Sequence, residues 1–226
     1  MKAMILAAGR GERLRPYTDT VPKPLLTVAD KPLIFWHLEK LAKIGIQQVV
    51  INTAWLGEQL VAQVGDGSRF GMEVLWSHEP AGGLETAGGI VNALPLLGSE
   101  PFLVVNGDVF THYSFAQIAA LEPNVLGHLV LVDNPAHHPQ GDFTLTESGR
   151  VAAKQQQESG LTFSGISLLS PALFSDLAPG KRPLREIFVS AIEKEQLTGE
   201  YFAGYWNDVG TPERLAQVNR DWVCEK

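Results

Sequence analysis

A short apolar strand runs straight into a loop of small and cationic residues, Leu6-Ala7-Ala8-Gly9-Arg10-Gly11-Glu12-Arg13-Leu14-Arg15-Pro16, and Lys23-Pro24 follows soon after. Small residues let a backbone approach a ligand closely. The N–H groups of Gly11, Glu12 and Arg13 suit an anion nest. Arg13 can fork two phosphate oxygens, and Lys23 supplies a point charge. Pro22 and Pro24 stiffen the chain around that lysine, lowering the entropy cost of holding its ammonium in place. The predicted chemistry is polyanion binding, phosphate above all. Two phosphate loops are excluded: Leu14 stands where the third glycine of G-x-G-x-x-G belongs, and no G-K-[ST] occurs. Taken alone, Gly9-Arg10-Gly11 also reads as a tight turn and Lys23 as a surface lysine. Arg10 and Arg15 stay open.

Two carboxylates belong to the same argument. Asn106-Gly107-Asp108 follows directly on the apolar run 102–105, and Asn207-Asp208-Val209-Gly210 follows the run 201–206. Ligands of open parallel sheets sit at the carboxyl ends of strands. Each aspartate is a hard oxygen donor of the kind Mg²⁺ accepts alongside substrate phosphates and water. Either one alone reads equally as a turn or cap residue; together they point to a metal. His137-His138 has Pro135 and Pro139 around it and no third ligand nearby, and reads as a surface loop.

The elements that must position these groups alternate. Residues 3–7, 49–51, 72–76, 102–105 and 129–132 read as strands, while 32–44, 57–64 and 86–94 have helical spacing, the last with Thr86 as a cap. Continuous apolar strands between helices predict an α/β fold, a mostly parallel sheet with helices on both faces. The second half changes character. Residues 142–146 and 150–155 flank the turn Glu147-Ser148-Gly149, 162–169 and 201–206 read as strands, and 184–195 reads as a helix. Thr211-Pro212-Glu213 opens a last helix, with Thr as N-cap and Pro in the first turn. At 226 residues, 45% hydrophobic and 19% charged, the chain reads as one globular domain.

Charge and cysteine content narrow the function classes. A net charge of −7 argues against a nucleic-acid binder. Residues 1–31 carry six bases against three acids, whereas residues 44–149 carry only Arg69 against eleven acids. A basic loop therefore faces an acidic remainder, which suits an anion with a bridging cation. The single cysteine, Cys224, excludes an intramolecular disulfide and a cysteine metal cluster, and predicts a reducing, cytoplasmic setting. The opening apolar run is too short for a signal peptide, and no run approaches the ~18 residues of a membrane span.

The stretch Leu6 to Pro16 followed by Lys23-Pro24-Leu25 resembles the signature of sugar-phosphate nucleotidylyltransferases, which join a nucleoside triphosphate to a sugar 1-phosphate. The resemblance covers essentially the whole chain. It implies a Rossmann-like mixed, mostly parallel sheet, with a nucleotide-binding half over about 1–110 and a smaller, more antiparallel sugar-binding region over about 111–226. The loop would wrap the triphosphate, with Ala8, Gly9, Gly11 and Glu12 as nucleotide contacts. Arg13 and Lys23 match the family's phosphate-binding cations and, with Asp108, are the implied catalytic residues. Asp108 lies in its G-D motif and Asp208 in its W-x-D-x-G-T motif, the implied Mg²⁺ ligands. Residues 79–89 resemble a segment ending G-T-A-G that lies against the nucleobase. Gly83 matches a base contact, although Glu85 stands where many relatives have glycine. Ala54 borders the base or ribose. Gly141 and Glu158 match the family's sugar-binding glycine and glutamate, and Asn106 and Asp142 are candidate sugar contacts beside them.

The implied reaction is Mg²⁺-dependent: UTP and a sugar 1-phosphate give a UDP-sugar and pyrophosphate. A pyrimidine suits backbone recognition, and guanine stays open, so thymidylyl- and guanylyltransferases are the alternatives within the family. A non-catalytic nucleotide-sugar-binding subunit is the alternative outside it, disfavoured by the retained metal carboxylates. An NAD-linked oxidoreductase is disfavoured by the broken glycine fingerprint. The family's dimerising insertion near residues 156–161 is abbreviated to Gln157-Glu158-Ser159-Gly160, and no carboxy-terminal β-helix extension follows, which predicts a monomer. Compact length of this kind is similar to that of uridylyltransferases in bacterial cell-wall recycling.

Overall fold

The computed structural model describes residues 1–118, 120–154 and 159–224. The first half runs β1 (Ala3–Leu6), a short hairpin of β2 (Thr27–Val28) and β3 (Lys31–Pro32), α1 (Leu33–Lys43), β4 (Gln48–Thr53), α2 (Gly57–Val64), β5 (Glu73–His78), α3 (Glu85–Leu97) and β6 (Phe102–Asn106). The second half runs β7 (Val109–Thr111), β8 (Gly127–Val132), β9 (Phe143–Leu145), β10 (Val151–Ala153), β11 (Thr162–Leu169), α4 (Leu184–Glu193), β12 (Leu197–Tyr201), β13 (Trp206–Asp208) and α5 (Pro212–Cys224).

Seven strands form one sheet in the order β12-β8-β11-β6-β1-β4-β5. β1 pairs parallel with β4 and β6, β4 with β5, and β8 with β12. Only β11 runs antiparallel, between β6 and β8. The mixed, mostly parallel α/β sheet expected from the sequence is therefore present.

Strand alternation explains the layers. Ala3 and Ile5 of β1 face one core with Ile34, Leu38 and Leu41 of α1 and Leu60 and Val64 of α2. Met4 faces the other, with Ala87 and Ile90 of α3 and Phe188 of α4. The residues of α1 at 34–37 (Ile, Phe, Trp, His) are weak helix formers, each costing up to ~0.7 kcal/mol against Ala. Burying one Ile or Leu contributes roughly 1.5–3 kcal/mol, so packing decides.

Two local expectations are corrected. The apolar run 201–206 is not one strand. β12 ends at Tyr201, whose successor Phe202 donates a last ladder bond to the Leu131 carbonyl at 2.8 Å. Phe202 then turns onto the Tyr113 ring (centroids 5.3 Å apart), and a Cβ at Gly204 would lie 2.3 Å from the Phe202 ring. The chain resumes as β13, paired antiparallel with β7 in a separate two-stranded sheet. Asp208 thus ends a short antiparallel ribbon, not a strand of the main sheet. Nor does Thr86 cap α3: Leu84 is the N-cap residue, and the Ala87 and Gly88 N–H groups donate to the Arg182 carbonyl at 3.0 and 3.2 Å. The Glu147-Ser148-Gly149 hairpin (β9 with β10) and the Thr211 cap of α5 are as expected, with Thr211 Oγ1 accepting from the Arg214 N–H at 3.3 Å.

Candidate active site

Chain order places the site. From β1 the chain builds outward through β4 and β5, then crosses back to add β6 on the other side of β1. The crevice beyond the carboxyl ends of β1 and β6 is the topological switch point, where α/β sheets bind ligands. Gly107 permits the close approach there: its N–H donates to the Leu6 carbonyl at 2.9 Å, and a Cβ would lie 2.8 Å from that oxygen.

A cleft of about 680 Å³ opens at this point. The first loop lines it with Ala8, Gly9, Arg10, Gly11, Glu12 and Lys23; Ala54, Gly83, Asn106 and Asp108 complete its wall. Gly11 has φ 70°, and its carbonyl accepts from Thr18 Oγ1 at 2.8 Å, which closes the loop. Gly9 has open space where a side chain would be. The Arg10 guanidinium stacks on Trp55, 3.5 Å from the ring centroid, and its buried Nη1 has no hydrogen-bond partner. Its Nη2 lies 3.8 Å from Asp19, so one edge of the guanidinium has an acidic neighbour and the other keeps a donor to spare. Arg15, which is exposed, meets the same Asp19 carboxylate at 2.8 Å.

Lys23 and Asp108 form an ion pair inside the cleft, the lysine side chain only 13% exposed. Burial raises the Asp108 pKa, but the Lys23 charge and its hydrogen bond lower it, and the carboxyl ends below the usual range. Behind it, on α1, buried His37 has a pKa lowered to about 4, first by desolvation and then by the Lys40 charge. Lys40 Nζ donates to the Thr111 and Tyr113 carbonyls and so pins β7, the strand that follows Asp108.

A second charged cluster abuts the first. Asp208 pairs with Arg214 at 2.5 Å and meets His137 at 3.2 Å. Burial lowers the His137 pKa first; Asp208 opposes this, and Arg214 and Arg13 add to it. The Arg13 guanidinium lies beside Gly210. The Val209 N–H donates to the Asp108 carbonyl at 2.8 Å, so the two aspartates lie on neighbouring chain segments. Among the described residues no group of three His, Cys, Asp or Glu could hold a metal ion. Both carboxylates are paired with cations, Asp108 with Lys23 and Asp208 with Arg214, and their hard oxygens are of the kind Mg²⁺ takes one or two at a time, completing its shell with phosphates and water.

A second cavity of about 400 Å³ shares Glu85, Thr86 and Asn106 with the cleft. Asp142 reaches into it, fixed by the Phe163 N–H at 2.9 Å and by His138 at 3.1 Å. Gly141 has φ 63°, and a Cβ there would lie 2.5 Å from Asn134 Oδ1 and 2.7 Å from the Gly160 carbonyl carbon. We therefore expect Gly141→Ala to destabilise the fold by about 2–3 kcal/mol, from overpacking and the left-handed backbone. Thermal denaturation checks this, and an unchanged melting temperature would refute the packing account.

The nucleotidyl transferase family model matches residues 2–152. The chain belongs to the nucleotidyl transferase family. The transferase is 50% identical over 96% of both chains to an N-acetylmuramate alpha-1-phosphate uridylyltransferase from Neisseria meningitidis. It is 33% identical to a glucose-1-phosphate thymidylyltransferase from Streptomyces griseus, covering 97% of this chain and 65% of that one. In fold it is similar to HddC from Yersinia pseudotuberculosis, solved with GMP-PN, at a TM-score of 0.79 and 20% identity over 98% of this chain and 99% of that one.

The transferase brings most of the sequence-predicted site residues together. Ala8, Gly9, Gly11, Glu12, Lys23, Ala54, Gly83, Asn106 and Asp108 line the one cleft, and Asp142 the adjoining cavity, with Gly141 next to it in sequence. Arg13 and Asp208 are not among the cleft-lining residues; Asp208 pairs with Arg214 in the neighbouring cluster, and Arg13 lies beside Gly210 there. Glu158 lies outside the described residues. Sequence reasoning missed Glu79, which bonds Asn52 at 2.6 Å and the Leu84 N–H at 2.8 Å; Asn52 in turn accepts from the Ala7 N–H at 2.6 Å. This network ties the first loop to the Gly82-Gly83 wall. Its one sequence signal was an acid placed directly after a strand. Arg214 was missed too, as one more charge on a helix. His137, read as part of a surface loop, touches Asp208.

Proposed function

We propose that the protein transfers a uridylyl group from UTP to N-acetylmuramic acid α-1-phosphate, releasing pyrophosphate and the UDP-sugar. The observation that carries this reading is the convergence of Lys23, Asp108 and Arg10, whose Nη1 has no hydrogen-bond partner, on one cleft at the switch point of the sheet. The choice of base and sugar rests on similarity along the whole length of the Neisseria relative.

No protein nucleophile is required. The sugar phosphate's own oxygen attacks the α-phosphorus, the bond to the β-phosphate bridging oxygen breaks, and pyrophosphate leaves with that electron pair. The difficulty is bringing two polyanions together, so positioning and charge do the catalysis. Arg10, Arg13 and Lys23 offset the negative charge, and the backbone at Gly9 and Gly11 admits the phosphates. Gly83 and Ala54 border the base, the former steadied by Glu79. Asn106, Gly141, Asp142 and Glu158 receive the sugar. Asp108 and Asp208 would hold Mg²⁺, which when bound neutralises phosphate charge and orients the transferring group. The assignment gives residues 1–110 to the nucleotide and 111–226 to the sugar, and places the enzyme in the cytoplasm as a monomer serving cell-wall recycling. Among the described residues no helix is long and apolar enough to cross a membrane.

Pyrophosphate release across four nucleoside triphosphates and several sugar 1-phosphates tests this. UTP with N-acetylmuramic acid α-1-phosphate should give the highest kcat/KM. Preference for dTTP or GTP would move the protein to another branch of the family, and silence with every pair would end the catalytic reading.

A further inference from the structure

The cavity that adjoins the nucleotide cleft has an apolar wall and acidic polar groups. Phe163 and Phe188 meet edge to face at 5.4 Å, with Phe143 beside them, a surface suited to a sugar ring face and a methyl group. The acids Glu85 and Asp142 line the same space. Asp142 already accepts from the Phe163 N–H and meets His138, and Glu85 lies 3.9 Å from Lys181. An anionic substituent entering here meets two carboxylates, so it needs a cation inside the cavity. Arg185 is that cation. It lines the cavity from the first turn of α4, it is exposed, and among the described residues it has no hydrogen bond or ion pair. The α4 dipole disfavours a positive charge at that end, so helix stability does not account for an arginine there.

We propose that Arg185 selects the sugar by pairing with a carboxylate carried on its ring. In N-acetylmuramic acid α-1-phosphate this is the carboxylate of the lactyl ether. The planar guanidinium fork matches a carboxylate in two parallel hydrogen bonds, whereas a neutral hexosamine phosphate offers it no such partner. Arg185 touches the substituent and not the reacting phosphates, so its loss acts on KM and leaves the chemical step to the other residues. This inference rests on the reading of the substrate given above.

The test is a cycle between enzyme and substrate. Wild type, Arg185→Ala and Arg185→Lys are each assayed with UTP and either N-acetylmuramic acid α-1-phosphate or its lactyl methyl ester, which removes the charge and adds one methyl group; a steric effect of that methyl would persist in Arg185→Ala. Wild type should prefer the acid by about 10–100-fold in kcat/KM, the factor for one charge-assisted pair. In Arg185→Ala that preference should shrink to within about threefold, carried by KM, and Arg185→Lys should keep part of it. Retention of the wild-type preference in Arg185→Ala overturns the proposal, as does a wild type indifferent to esterification. If wild type makes no UDP-sugar from the acid, the substrate reading itself has failed, a result distinct from either of these.

Discussion

Asp108→Asn should lower kcat by roughly 10³-fold while the protein stays folded. The carboxylate faces the cleft and pairs with Lys23, whereas contact with the neighbouring segment runs through the Asp108 backbone carbonyl, which asparagine keeps. The substitution removes one negative charge where a divalent ion would sit and leaves Lys23 without its partner. Both effects fall on the site and not on the core. The pH dependence follows from the same pair. Lys23 holds the folded-state pKa of Asp108 below the usual carboxylate range, so the group contributes stability above its unfolded pKa of ~3.9 and loses it as pH falls through the lower folded value. The acid limb of the kcat profile should therefore show no Asp108 titration near neutrality. Steady-state pyrophosphate release with a parallel thermal melt decides. A folded variant within tenfold of wild type removes Asp108 from the mechanism.

The sequence was legible where local chemistry and tertiary structure agree. The continuous apolar runs at 49–51 and 102–105 read as buried strands, 162–169 reads as strand-like, and all three lie in strands of the main sheet. The residues from Ala8 to Lys23 stand out by type alone, and the fold brings Ala8, Gly9, Arg10, Gly11, Glu12 and Lys23 to one cleft. Legibility failed where the long-range partner sets the outcome. Nothing within 201–206 says that the ladder to β8 stops at Tyr201, or that Trp206 turns away to pair with β7. β12 itself, with Thr198, Gly199 and Glu200, has little apolar pattern; it is a strand because β8 offers it a parallel edge. The same limit hid the partners of Asp208. Arg214 is six residues on and His137 is far away in sequence, and only the fold brings both to one carboxylate. Glu85 illustrates the reverse case. Its φ of 58° is left-handed, which explains why glycine is the expected residue at that position, yet here a glutamate occupies it and faces both cavities.

Arg13→Ala should cost roughly 10²–10³ in kcat/KM without lowering the melting temperature. Arg13 is exposed and, among the described residues, makes no ion pair or hydrogen bond, so the fold has little to lose. It lies beside Gly210, next to the Asp208–Arg214 pair, in the charged cluster whose chain runs alongside Asp108. Lysine should restore only part of the activity, since a point charge cannot fork two phosphate oxygens. The comparison with Asp208→Asn sharpens the test. If both side chains act on one triphosphate, their combined loss should differ from the product of the single losses, because groups acting on a shared ligand are non-additive. Near wild-type rates for Arg13→Ala, with full additivity toward Asp208→Asn, would separate the two clusters. Asp208 would then be a structural partner of Arg214 and His137, and the catalytic charge would have to come from Lys23, Asp108 and Arg10 alone.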